Sequence, residues 1–163
     1  MVYGTKDEWI ELKNISGSGI DINSWQLLNK NEHIKINFSD LNGSKNIKSG
    51  QLILLERTDD NSVSNITADL IYSGAILNTN EGLRLFDGQC NLIDEVLANP
   101  GWPAGSNTSA AERKTMERDA NGFGWHTSLV VAGTPKKENS ISVVYSGGGN
   151  SSVVNTSSPQ PNN

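Results

Sequence analysis

Residues 80–96 read NEGLRLFDGQCNLIDEV. Leu83 and Leu85 alternate with Arg84 and Phe86, Asp87-Gly88 is a strong turn signal, and Leu92, Ile93 and Val96 resume the apolar pattern. The stretch predicts a β-hairpin with a loop of about 3 to 5 residues. Cys90, the only cysteine of the chain, falls in or just beyond that loop with no histidine near it in sequence. A thiol so placed reads as a turn or edge residue rather than as a nucleophile.

The same alternation extends to either side. EWIELKNI places Trp9 and Ile10 ahead of alternating Glu11, Leu12 and Lys13; DINSWQLLN has short apolar spacing around Trp25; HIKINF alternates Ile34, Ile36 and Phe38 with polar residues. These are half-buried strands. QLILLE (51–56) is more continuously apolar and suits a central strand, and ADLIYSG suits a short edge strand. Gly-, Ser-, Asn- and Asp-rich loops separate the runs. The best helical candidate is TSAAERKTMERDA (108–120), with Ala110 and Ala111 behind a cap at Thr108 or Ser109.

A chain of 163 residues suits one well-filled domain. Its net charge of −5, from 18 acidic and 13 basic residues, offers no field that would gather phosphate backbones, so nucleic acid is a poor default partner. No apolar run is long enough to cross a membrane, and MVYGTKDEW has no secretory h-region, so any targeting or anchoring segment is expected outside the sequence shown. One cysteine excludes an internal disulfide, and His33 and His126 would need carboxylates to complete a zinc site. No cofactor is expected.

Charged residues stop at Glu138. The uncharged stretch 139–163 reads as a flexible linker or tail, because Gly, Ser, Asn and Pro cannot bury enough apolar surface to offset their ordering entropy. Within it, ISVVYS (141–146) has strand content, and either docks on an edge of the domain or belongs to whatever follows. The expected division is a domain at 1–138 and a tail at 139–163.

Taken in order, DEWIELKN (7–14), INSWQLLN (22–29), IKSGQLILLE (47–56), LNTNEGLRLFDGQCNLIDEV (77–96), AERKTMERDANGFGWHTS (111–128) and AGTPKKEN (132–139) resemble the lamin tail domain, particularly its bacterial versions. The resemblance implies an immunoglobulin-like antiparallel β-sandwich, with Trp9, Ile10 and Leu12 on an opening core strand, and the strand alternation itself adds Trp25, Leu83 and Leu85 to the expected core. Animal members end nuclear filament proteins and are linked to protein and DNA contacts; bacterial members occur in exported or surface proteins, often beside enzymes. Heptads, a basic localisation cluster and a lipidation box are all missing here, so a filament or nuclear role does not carry over. Bacterial relatives commonly have a strand ahead of the segment matching DEWIEL. Met1 stands only a few residues before it, so that strand is expected to be shortened or missing, leaving an edge open to self-association.

Candidate chemistry is sparse. A Ser-His-Asp set can be assembled on paper, but no G-x-S-x-G elbow accompanies it, and no catalytic residue is assigned. His126, in GFGWHTS, is the stronger histidine candidate and His33 the weaker. Asp59-Asp60 and Asp94-Glu95 lack the spacing of a calcium loop, and strand alternation sends Asp94 and Glu95 to opposite faces. Arg113-Lys114 with Arg118, and Lys136-Lys137, are the compact basic features and read as solvated patches. Trp102 in WPAG and Trp125 beside His126 either close one end of the core or stack on a sugar or protein.

The expectation is therefore a non-catalytic accessory or structural module of a larger extracellular or cell-surface protein, contacting protein or cell-envelope glycan, with Trp102, Arg113, Trp125 and His126 as candidate binding residues. The alternatives are a carbohydrate-binding module using Trp102 or Trp125, and a calcium-dependent module or hydrolase accessory domain.

Overall fold

The computed structural model describes residues 7–120 and 122–141. The expected strand at 141–146, apart from Ile141, lies outside the described residues, as do the remainder of the expected linker or tail, 147–163, and residues 1–6. In chain order the strands are β1 (Trp9–Lys13), β2 (Ile20–Asp21), β3 (Gln26–Asn29), β4 (Lys35–Asn37), β5 (Asn46–Ile47), β6 (Leu52–Arg57), β7 (Leu70–Tyr72), β8 (Thr79–Phe86), β9 (Leu92–Gly101), β10 (Met116–Arg118) and β11 (Trp125–Thr127). Turns of 3₁₀ helix lie at Phe38–Asp40 and Ala110–Glu112.

The fold is an all-β sandwich. A four-stranded sheet in the order β4-β3-β8-β9 faces a three-stranded sheet in the order β1-β6-β7. Between them, Leu27, Ile36 and Leu85 of the first sheet meet Ile53, Leu55 and Leu70 of the second, with fully buried Phe38 in the same core. The two-residue β2–β5 ladder and the β10–β11 hairpin complete the pairing. All of these pairs are antiparallel except β6–β7, which runs parallel.

The hairpin of the opening motif joins β8 to β9 through Asp87–Asn91. Asp87 organises that loop. The backbone N–H groups of Gln89 and Asn91 both donate to its Oδ1 at 2.8 Å, and the Asn91 side-chain amide donates to Oδ2 at 2.8 Å. These donors, led by the Asn91 side chain, hold the Asp87 carboxyl below the usual range. Cys90 is exposed in this loop, at a φ of 64°.

β6 is buried on both faces, which explains its continuous apolar run. Ile53 and Leu55 enter the core, while Leu54 and Glu56 occupy the opposite face and are equally inaccessible. Segments outside the sheets cover that second face. Ser62 donates its N–H to Glu56 Oε2 at 2.8 Å, and Lys136 donates its N–H to Glu11 Oε1 at 2.6 Å.

Leu85 is buried in the core, and Ile10, Leu12, Trp25 and Leu83 are partly buried against it. Trp9 departs from expectation. It is half-buried and, opposite Glu56 in register, shares the outer face of β1 with Glu11 rather than the core face of Ile10 and Leu12. The helical candidate at 108–120, expected to form one or more turns, forms only one. Ala110–Glu112 makes a single 3₁₀ turn, and Met116–Arg118 is drawn into a strand because Trp125–Thr127 supplies its backbone partners.

Candidate functional site

The C-terminal part of the described chain gathers the candidate residues around the β10–β11 hairpin. Register opposes Glu117 to His126 and Arg118 to Trp125, so each pair shares a face. Ser140 then crosses the Glu117–His126 face. Its backbone N–H and hydroxyl both donate to Glu117 Oε2, at 2.8 and 2.5 Å, while Thr134 Oγ1 donates to Glu117 Oε1 at 2.8 Å. Burial raises the Glu117 pKa, but the hydroxyls of Ser140, Ser128 and Thr134 and the Ser140 N–H outweigh it and leave a net lowering.

His126 stands between two acids. Its Nδ1 lies 2.8 Å from Asp119 Oδ1, and its Nε2 lies 3.4 Å from both Ser140 Oγ and Glu117 Oε2. The order Asp119, His126, Ser140 copies the connectivity of an acyl-transfer triad. The proton positions differ. Ser140 Oγ donates to Glu117, not to His126, and accepts a hydrogen bond from Leu129 N at 2.9 Å, so the hydroxyl is committed on both sides. Chemically, the set ties the segment around Ser140 to β10 and β11.

On the neighbouring face, the Arg118 guanidinium lies 3.9 Å above the centre of the Trp125 ring and holds Asp94 of β9 at 2.6 Å. One ring face of Trp125 is thereby covered, and the hairpin is fastened to the four-stranded sheet. Trp102 is half-buried against the core and donates its indole N–H to Leu77 O at 2.9 Å. Arg113 is half-buried, and its carbonyl accepts the Ala132 N–H at 2.7 Å. None of these four residues lines the groove beside the hairpin. That groove, of about 540 Å³, is lined by Ser106, Thr108, Glu112, Lys114, Thr127 and Val131.

Among the described residues no group of three or more His, Cys, Asp or Glu is placed to hold a metal ion. In the acidic loop, Asp59 Oδ1 accepts from the Asn61 side chain and Asp60 Oδ1 from Ala68 N. Asp94 and Glu95 part as alternation requires, Asp94 to Arg118 and Glu95 to Arg84 at 2.6 Å. No helix of the described residues is long and apolar enough to cross a membrane.

Sequence reasoning missed the buried carboxylates. Glu8, Glu56, Glu81 and Glu117 are all buried, and Lys136, read as part of a surface patch, pairs with Asp69. The available signal was strand context: Glu56 closes the four-residue apolar run that begins at Leu52, and Glu11 lies within an apolar strand, places where a charge needs a partner. No protein-family model matches the chain, and no curated protein matches it.

Proposed function

We propose that this chain is a non-catalytic contact module of the lamin tail type, with an immunoglobulin-like sandwich, carried by a larger exported or surface protein. The observation that carries the reading is the β9 edge. Among the described residues β9 is the outermost strand of its sheet, ten residues long, and exposes Leu92, Ile93 and Leu97. An edge strand that pairs on one side only among the described residues, with exposed apolar side chains, suits strand addition by a protein partner or a second copy.

The commitment of Ser140 to Glu117 supports the absence of acyl-transfer chemistry, because a nucleophile needs its proton directed at the base. A sugar platform needs a free aromatic face; Arg118 over Trp125 and the core under Trp102 weigh against that alternative. A calcium-dependent module has less support still, since the loop acids bind their own amide groups.

The test pairs turnover with binding. Purified chain is assayed on ester, peptide and glycoside substrates alongside Ser140→Ala and His126→Ala. Hydrolysis by the parent chain that disappears in both variants contradicts the reading, and absence of turnover together with saturable binding to an envelope component that depends on the β9 edge supports it.

A further inference from the structure

The Lys136 ammonium and the Asp69 carboxylate are in direct contact across 67 residues of sequence. Neither is a free surface charge: their side chains are 27% and 28% exposed. Asp69, just before β7, is fixed to β6 twice, by Asp69 N donating to Leu54 O at 2.8 Å and by Leu54 N donating to Asp69 Oδ2 at 2.7 Å. Lys136 is fixed as closely. Its N–H donates to Glu11 Oε1, its Nζ also donates to Leu52 O at 3.0 Å, and its backbone holds a left-handed φ of 58°, which lysine seldom adopts.

A third group completes the cluster. Glu11, on β1, feels the charges of both Lys136 and Asp69. Burial pushes its carboxyl up to about 7, against the lowering effects of the Lys136 N–H and ammonium, with Asp69 and Glu117 adding to the rise. A carboxyl of that kind gives and takes protons near neutral pH. The site thus holds an amine, a carboxylate, a proton carrier and an N–H aimed at a carboxylate oxygen, all fixed by separate backbone contacts. Such immobilisation gives effective concentrations on the order of 10⁵ M or more in favourable intramolecular cases.

We propose that Lys136 and Asp69 condense spontaneously to an isopeptide bond between Lys136 Nζ and Asp69 Cγ, with Glu11 as the proton carrier. Glu11 takes a proton from the ammonium, and the freed lone pair attacks Cγ. The C–O π pair moves onto Oδ2, where the Leu54 N–H receives it. Glu11 then delivers the first proton to Oδ1, and the second nitrogen proton follows by the same route. The Cγ–Oδ1 bond breaks, water departs, and Oδ2 reforms the carbonyl. One ammonium and one carboxylate become one amide and one water, with Glu11 returned to its starting state. The reaction needs no oxidant or cofactor, and it removes two partly desolvated charges from a site that also holds Glu11. The bond would staple the segment entering the tail to the β6–β7 part of the sandwich.

Intact mass spectrometry of the denatured full chain tests this directly. The expected mass is one water below that of the sequence, with a branched tryptic species joining the peptides that carry Asp69 and Lys136. Lys136→Arg keeps the charge but lacks the amine nucleophile, and should show the full mass; Asp69→Ala should do the same. Glu11→Gln should show the full mass while its circular dichroism matches the parent. A parent chain at full mass, with Asp69 and Lys136 in separate linear peptides after incubation at neutral pH, overturns the proposal. Water loss that persists in Lys136→Arg also overturns it, by placing the dehydration elsewhere, for example at Asp87-Gly88. Bond formation in Glu11→Gln would remove the role given to Glu11.

Discussion

Glu81 Oε2 accepts a hydrogen bond from the Asn29 side-chain amide at 3.1 Å, joining two inner strands of the four-stranded sheet through a buried carboxylate. The same carboxylate accepts the N–H groups of Lys30, Leu77 and Gly82, so one acid satisfies donors from three parts of the chain. Glu81→Ala leaves these donors unpaired and should cost about 3 kcal/mol or more. Glu81→Gln should cost less, because it keeps an acceptor oxygen. Urea unfolding measures both, and an unchanged midpoint in Glu81→Ala would contradict the assignment.

The buried acids also set the pH profile. Glu81 and Glu117 are net lowered, their hydrogen bonds outweighing burial, so each contributes stability that is present above its unfolded pKa and lost as pH falls through its folded one. Glu11 works in the opposite direction. Raised from 4.5 to about 7, chiefly by burial, it binds protons more tightly in the folded state, so its contribution declines as pH rises across that interval. Glu8 and Glu56, raised mainly by burial, add to the decline. Thermal unfolding should therefore peak at mildly acidic pH, near about 5. Glu11→Gln should flatten the decline on the neutral side; an unchanged profile would remove Glu11 as its source.

Trp25 and Trp9 should separate in a truncation experiment. Trp25 packs against the core and Trp9 lies on the other face of its sheet. Trp25→Ala should cost about 3 kcal/mol, and Trp9→Ala clearly less. Equal shifts in the two denaturation midpoints would contradict this placement.

Cys90 takes a left-handed backbone in an exposed loop whose hydrogen bonds come from Asp87 and Asn91. Cys90→Gly relieves the Cβ strain at that position and should raise stability by about 0.5 to 1 kcal/mol, without changing binding. Loss of stability or of binding would show that the thiol has a role of its own.

What the sequence displayed and what it hid have different physical origins. The β8–β9 hairpin was legible because its signals are local: alternation, Asp-Gly and a short loop. The central position of β6 was legible from its unbroken apolar run. The β10 strand was not, because Ala110 and Ala111 favour a helix locally while the partner that decides the matter, Trp125–Thr127, comes later in the chain. The partners of the buried acids were hidden for a similar reason. Glu11 meets Lys136 and Glu8 meets Arg57 at separations of 125 and 49 residues, and no local pattern announces either. His126 stood out in sequence, but nothing there showed that Ser140 would turn its hydroxyl towards Glu117.

The proposed contact through the β9 edge of a non-catalytic module is measured by a binding titration against fractionated envelope protein and glycan. The parent chain is compared with the double variant Ile93→Lys and Leu97→Lys. Both positions are exposed, so the variant should keep the parent's circular dichroism and unfolding midpoint. Saturable binding by the parent, weakened at least roughly tenfold in the folded double variant, is the predicted result. Equal binding by the two chains would contradict the claim.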